Sequence, residues 1–221
     1  MPVPQEFDDW AATLDQDVRD YADKFPFIGY SQVLDEVTWQ ADVAAGATVL
    51  DLGIGTGNLA GRFLARQCEV YGLDFSPKML EAARLKFPQL HLALADLAAD
   101  WQAVLRGSFE SASFDAIVSG YTFHHFALAD KVSLLLRLVQ EHLNPGGCIV
   151  IGDISFESLA AMDAARRHWA SLWDEEDYWI ADESLAACRQ AGLPATYKQI
   201  SSCAGVYAIQ PVRNSTDKER S

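Results

Sequence analysis

VLDLGIGTGNLA, residues 49–60, is the stretch whose reading decides the fold. An apolar run over 47–53 has the length and composition of a buried strand, and 58–67 has helical spacing. Between them stand Gly53, Gly55 and Gly57, three glycines in five residues, behind a strand that carries Asp51. Glycine is required where the backbone turns tightly and where a ligand must approach closer than a Cβ permits. The helix behind the turn presents its free N–H groups and positive end to the same spot. A plain turn needs none of this repetition. The segment therefore reads as a strand–loop–helix unit that holds a nucleotide-like ligand at the carboxyl edge of a parallel sheet.

The same alternation continues along the chain. Strand-like runs recur at 68–74, 90–96, 114–120 and 148–154, and helical patterns at 76–87 and 128–143. Ser76 followed by Pro77 is a strong helix start, and Asn144-Pro145-Gly146-Gly147 stops the long helix. Asp182 is expected to cap a helix running to Gly192, and 196–200 and 205–210 resemble a closing strand pair. Strands alternating with helices imply βαβ units, right-handed crossovers and a doubly wound α/β sheet. Ahead of it Trp10, Leu14, Val18, Tyr21 and Phe25 recur every three or four residues as a helical stripe. The expected organisation is a helical lid over 1–40, a ligand-binding domain over 41–210 and a flexible tail over 211–221.

The 221 residues, 50% hydrophobic and 22% charged, suit one globular domain with a small appendage. Against 17 basic residues stand 31 acidic ones, a net charge of −14, and the basic residues form no run. That balance argues against nucleic acid as a partner and against docking on an anionic bilayer. No secretory signal is visible, and the most apolar helical stretch, 132–143, is far short of the roughly 20 residues a membrane helix needs. Cys68, Cys148, Cys188 and Cys203 show no C-x-x-C spacing. A reduced, cytoplasmic protein is expected, monomeric or homodimeric.

Residues around the turn narrow the ligand. A dinucleotide fingerprint places its third glycine at position 58, where this chain has Asn58. Asp51, two residues ahead of the first glycine, would face a pyrophosphate with the wrong charge but suits a ligand bearing an ammonium. Asp74 ends the second strand about 20 residues beyond the turn, the place of a ribose-binding acid. Asp96 closes the third strand, where it suits an adenine amino group, and Phe75 and Leu97 are placed to sandwich the base. Adenine, ribose and an amino-acid tail without phosphate describe S-adenosylmethionine.

These motifs together resemble those of class I S-adenosylmethionine-dependent methyltransferases. They comprise residues 49–57, Asp74, Asp96, FDAIVSGYTFHHF over 114–126 and LNPGGCIVI over 143–151, in order within 47–154. The leader FDDWAATLDQDVRDYADKF is further similar to that of small bacterial YrrT-like methyltransferases. The resemblance implies a Rossmann-like, seven-stranded, mostly parallel sheet with an antiparallel last strand and a methyl donor lying across the strand ends. Carried over by position, it puts Asp51, Gly53, Gly55 and Gly57 on the methionine moiety and Asp74 on the ribose. It puts Asp96 and Leu97 on the adenine and Tyr121 near the sulfonium, with Tyr21 or Tyr30 closing over the donor.

Methyl transfer is an in-line displacement at an already activated carbon. Orientation supplies about 7–11 kcal/mol, whereas a general base adds about 10²–10⁴-fold. Positioning dominates, so no base motif is required. His125 and Tyr121 are the candidate catalytic residues, with His124 beside them. No metal site is expected, because Asp153 at the end of the fifth strand has no second ligand at a fixed spacing. Aromatic residues of the leader (Trp10, Tyr21, Phe25, Phe27, Tyr30) and of 168–180 (His168, Trp169, Trp173, Tyr178, Trp179) suit a lid over a small neutral or cationic acceptor. The acidic run 174–177 lies among the second group. Two other readings stay open: a non-catalytic S-adenosylmethionine- or S-adenosylhomocysteine-binding module, and an NAD(P)-dependent oxidoreductase, against which Asn58 and Asp51 count.

Overall fold

Period-two burial along the strands generates the two apolar layers of the fold. The computed structural model describes residues 4–99, 101–109 and 111–210, so the tail expected over 211–221 lies outside the described residues. Helices α1 (Pro4–Trp10), α2 (Leu14–Asp20) and α3 (Tyr30–Ala41) precede β1 (Thr48–Leu52), α4 (Ala60–Ala65), β2 (Glu69–Asp74), α5 (Pro77–Lys86) and β3 (His91–Leu94). There follow α6 (Trp101–Ser108), β4 (Phe114–Gly120), α7 (Leu128–Glu141) and β5 (Leu143–Phe156). The chain then forms α8 (Leu159–His168), β6 (Trp179–Ile180), α9 (Ala181–Gln190), β7 (Ala195–Gln199) and β8 (Ala204–Ile209). Leu50, Ile117 and Ile149 enter one layer, beneath α6, α7 and α9, while Val49, Val118 and Val150 enter the other, beneath α3, α4 and α5. Successive side chains on a strand face opposite sides, so a sheet apolar on both faces must be covered by helices on both.

The strands run in the order β3-β2-β1-β4-β5-β8-β7. All neighbours from β3 to β5 are parallel, and β8 is antiparallel to both β5 and β7. This is the expected seven-stranded path with an antiparallel last strand; β6 is a short addition, pairing in parallel with Ser155 and Phe156 of β5. Because β1 has β2 on one side and β4 on the other, the chain order reverses there and a crevice opens at the carboxyl ends.

Several local expectations change. The leader stripe is not one helix: Asp17 accepts from both Trp10 Nε1 (2.8 Å) and Thr13 Oγ1 (2.9 Å), which ties a turn between α1 and α2. Gly29, left-handed at φ 79°, then precedes α3. Val33, Leu34, Val37 and Ala41 of α3 are buried in the helical layer over the sheet, whereas α1 and α2 reach the carboxyl edge. Asp182 does not cap α9; Ile180 holds that position and Asp182 lies in the first turn, accepting from the Glu183 N–H at 2.8 Å. β5 starts at Leu143, ahead of the expected stop at 144–147, through a register shift against β4 between Phe114 and Ala116. α6 and α8 are added by the structure; α8 starts at an N-cap, Ser158, whose hydroxyl accepts from the Ala161 N–H at 3.3 Å. The four cysteines are buried and unpaired, and no helix among the described residues is long and apolar enough to cross a membrane.

The contact of α3 with the sheet is close enough to test. A Cβ on Gly152 of β5 would stand 2.5 Å from Val33 Cγ1 and 2.7 Å from Val37 Cγ2. Gly152→Ala is expected to cost about 1–3 kcal/mol by overpacking. Each kcal/mol lowers the thermal midpoint by about 2–4 °C in a chain of this size. An unchanged midpoint would mean that α3 is not seated on β5.

Candidate active site

The carboxyl ends of β1 to β5 open into a cavity of about 570 Å³, roofed by α1, Leu14 of α2 and the segment before α3. Gly53, Gly55 and Gly57 are all left-handed, at φ 68°, 54° and 84°. They differ in what they face. At Gly55 an added Cβ would find nothing nearer than Leu14 at 4.0 Å, so this glycine borders open space in the cavity. At Gly53 the same atom would overlap Thr122 Oγ1 at 2.2 Å. Gly57 is not among the cavity residues; its missing Cβ makes room for the Phe87 ring at 3.2 Å. The motif treats the three alike, but the structure puts Gly57 to packing.

Asp74 is buried and anchored: Oδ2 accepts from the Gly55 N–H at 2.8 Å and Oδ1 from the Ser76 N–H at 2.9 Å. Burial pushes its pKa up, and the surrounding N–H groups pull back. Asp51 is also buried, and among the described residues neither oxygen has a partner at hydrogen-bond distance; the Ala60 backbone N–H gives it a weak pull toward the charged form. Burial, and then the charge of Asp74, push its pKa well above the usual carboxylate range. Asp96 is exposed at the rim, where it accepts from the Ala98 N–H at 2.8 Å, and Leu97 and Phe75 form the wall beside it. Phe7 of α1 meets Phe75 edge-on with centroids 5.0 Å apart.

Tyr30 and Tyr121 stack in the middle of the cavity, centroids 4.9 Å apart and planes 28° from parallel. Tyr121 is left-handed at φ 56°, and its buried hydroxyl has no partner. The Tyr30 hydroxyl accepts from Asn58 Nδ2 at 3.3 Å, and burial pushes the phenol to about 12. Tyr21 is not brought to the site. It ends α2 with 45% of its surface exposed and the Lys24 ammonium over its ring at 5.2 Å. The break in the leader stripe turns it outward.

Beyond β4, His124 and His125 stand side by side with ring centroids 4.1 Å apart. Asp153 near the end of β5 receives the His124 backbone N–H at 2.8 Å and His124 Nδ1 at 2.5 Å. Burial lowers the His124 pKa, but the Asp153 carboxylate outweighs it and the net direction is up; the same pairing holds Asp153 down against burial. Glu176 completes the group, with Oε1 at 3.0 Å from His125 Nδ1 and Oε2 at 3.6 Å from His124 Nε2. Behind Asp153, Trp179 Nε1 donates to it at 3.0 Å. The buried Lys131 ammonium lies 4.6 Å over the Trp179 ring and donates to the Asp177 carbonyl, with burial lowering its pKa to about 8. The acidic run is thus divided: Asp174 and Glu176 line the cavity, while Glu175 pairs with Arg166 on the surface. Of the expected lid aromatics, Trp10, Phe25, Phe27, Tyr30 and Tyr178 line the cavity, and Trp173 stacks on Phe25 at 5.1 Å. His168 and Trp169 do not reach it, and Trp179 is buried beneath.

Sequence reading missed the residues that fasten the leader. Asp15 accepts from Thr56 Oγ1 (2.7 Å), Asn58 Nδ2 (2.9 Å) and Lys86 Nζ (2.6 Å), and Asp8 accepts from Ser76 Oγ at 2.6 Å. The same reading set Glu176 only within the acidic run beside the lid aromatics, and it passed over Lys131 as a site residue. Their partners are remote in sequence, so no local spacing marks them; the one available signal was the strongly acidic leader.

A methyltransferase-domain family model matches residues 49–147. Two uncharacterized methyltransferases, from Geobacillus kaustophilus and Geobacillus thermodenitrificans, are each 31% identical to this chain, and each alignment covers 95% of it and 96% of the relative. Among solved structures, DhpI in complex with SAH superposes with a TM-score of 0.68 at 16% identity, covering 96% of both chains. A TehB-like SAM-dependent methyltransferase from Corynebacterium glutamicum gives a TM-score of 0.58 at 20% identity, over 91% of this chain and 98% of that one. With a relative above 30% identity aligned along nearly its whole length, this chain belongs to the methyltransferase family.

Proposed function

We propose that the protein transfers a methyl group from S-adenosylmethionine to a small-molecule acceptor by in-line displacement. The observation that carries this reading is Asp51: a buried carboxylate, 1% exposed, without a hydrogen-bond partner among the described residues, on the wall of the cavity. A buried carboxylate without a partner is costly unless a cation meets it. An amino-acid ammonium supplies that cation, whereas a diphosphate would add repulsion. The other residues fit the same donor. Asp74, already fixed by two backbone N–H groups, has lone pairs left for two ribose hydroxyls. Gly55 leaves the space a ligand needs, and Phe75, Leu97 and Asp96 border the place for the base.

When bound, the donor supplies a sulfonium-activated methyl carbon. The chain's own residues do the positioning. Tyr30 and Tyr121 present stacked rings to a cation, an attraction of about 0.5–2 kcal/mol per ring. Tyr121 also brings a free hydroxyl, and His125 lines the cavity beyond β4, where it is available to an acceptor. Six carboxylates line the cavity (Glu6, Asp51, Asp74, Asp96, Asp174, Glu176) and, among the described residues, no lysine or arginine does. Such a lining repels anions, so the acceptor is neutral or cationic.

Three variants test the donor placement by calorimetry. Asp74→Ala and Gly55→Val are each expected to lose S-adenosylmethionine binding while keeping a cooperative melt, the first by removing the ribose acceptors and the second by filling the ligand's space, with a lower midpoint for Gly55→Val because a side chain at φ 54° strains the backbone. Asp51→Asn is expected to weaken the donor by about 10–150-fold, the worth of one charged hydrogen bond. The same change should raise the melting temperature of the unliganded protein by a few degrees, about 2–4 °C for each kcal/mol of relieved desolvation. Wild-type donor affinity in all three would contradict the placement. Methyl transfer itself is tested with labelled donor and a metabolite extract: label should appear in a small molecule only when the protein is present. Donor binding with no transfer to any extract fraction would reduce the protein to a binding module.

A further inference from the structure

Beyond β4 the cavity carries a second set of ligand atoms that the donor does not use. His124 Nε2, His125 Nδ1 and a Glu176 carboxylate oxygen all lie within 4.8 Å of one another. All three residues line the cavity. Four zinc bonds of about 2.0–2.1 Å in a tetrahedron separate neighbouring ligand atoms by about 3.3 Å. Glu176 offers a different oxygen to each ring, Oε1 at 3.0 Å from His125 Nδ1 and Oε2 at 3.6 Å from His124 Nε2, so both imidazoles face the one carboxylate at distances near that value. Glu176 hydrogen-bonds His125, and its other oxygen stands beyond hydrogen-bond distance of His124 Nε2.

Asp153 strengthens the case. Its Oδ1 holds the other nitrogen of His124 at 2.5 Å, and the carboxylate is fixed in turn by the Trp179 indole at 3.0 Å and by the His124 backbone N–H at 2.8 Å. A carboxylate on Nδ1 orients the ring and leaves the Nε2 lone pair facing the cavity, the support that metal-binding histidines require. The surrounding wall adds carboxylates without a lysine or arginine, so the field there favours a divalent cation.

We infer that His124, His125 and Glu176 form a zinc site in the cavity beyond β4, with Asp153 orienting His124. Two imidazoles and a carboxylate suit zinc better than the harder magnesium, and three protein ligands leave one coordination position open to the cavity. On the methyl-transfer reading, which this consequence rests on, the open position takes a neutral acceptor through a hydroxyl or thiol. Coordination lowers the acidity threshold of that group, and its proton leaves to solvent. The acceptor oxygen or sulfur then forms the bond to the methyl carbon, and the carbon–sulfur bond of the donor breaks with its electron pair left on sulfur. No oxidant or reductant is consumed.

The test uses the full chain, stripped with chelator and titrated with zinc chloride by calorimetry, with bound metal counted by elemental analysis. One zinc per chain is expected, with no heat from magnesium chloride. His125→Ala and Glu176→Gln should each weaken zinc by about 100-fold or more, with melting curves confirming that both variants fold. No zinc uptake by the wild type, or wild-type zinc affinity in both folded variants, would overturn the site. Donor binding is read separately on the chelated wild type, where it should be retained. Loss of donor binding with zinc uptake intact would overturn the donor reading and leave the metal site standing.

Discussion

Two carboxylates buried at the carboxyl edge of β1 and β2 are the constraint around which the site is arranged. Removing a carboxylate from water costs several kcal/mol unless its oxygens are matched. Asp74 is matched by the chain itself, through the N–H groups of Gly55 and Ser76. The glycine turn therefore does more than clear space: left-handed Gly55 aims its N–H at Asp74 and leaves its own missing side chain toward the cavity. Asp51, on the neighbouring strand, is left without a partner at hydrogen-bond distance among the described residues, and the charge of Asp74 makes its position worse. On the proposed reading, a cationic ligand supplies the partner that the chain withholds.

Strand order then sorts the rest of the cavity. In the sequence β3-β2-β1-β4-β5, Asp96, Asp74, Asp51 and Tyr121 stand at or beside a strand end and Asp153 near the end of β5, so neighbours in the sheet become neighbours along the cavity. The register of β4 against β5 pairs Gly120 with Gly152, which delivers Tyr121 and the two histidines beside Asp153. The leader closes this row from above. Asp8 at the start of α5 and Asp15 on the glycine turn fasten it to the elements that form the donor site, and Phe7 spans from Phe75 to His125. A roof of aromatic rings takes the place of water on that side, which raises the worth of each charge interaction beneath it. Since orientation outweighs acid–base assistance in methyl transfer, a row of strand ends under such a roof suits the reaction.

The parts of this arrangement that were legible beforehand are the local ones. The strand–glycine–helix unit, Asp74 behind it and the Ser76-Pro77 helix start are each written within a few residues, and the structure has them as read. What escaped depends on contacts across the chain. Tyr21 belongs to an apolar stripe only if the leader is one helix, and the Asp17 side chain, by receiving Trp10 and Thr13, breaks it. Gly57 matches the motif as well as Gly55 does, and only the position of the Phe87 ring separates packing from ligand contact. Asp153 had no visible second ligand because its partner His124 is 29 residues away and is brought to it by parallel strand pairing. Glu176 stands in an acidic run beside the lid aromatics whose members the sequence does not tell apart, and of that run Asp174 and Glu176 line the cavity while Glu175 stays on the surface.

The central claim is that the bend behind β1 receives an ammonium-bearing adenosyl ligand rather than a diphosphate. Calorimetric titration of the unmodified protein with S-adenosylmethionine and, in parallel, with NADH tests it most directly. The account requires saturable one-to-one binding of the sulfonium compound and no measurable heat from the nicotinamide. Binding of NADH, with S-adenosylmethionine unable to displace it, would contradict the account.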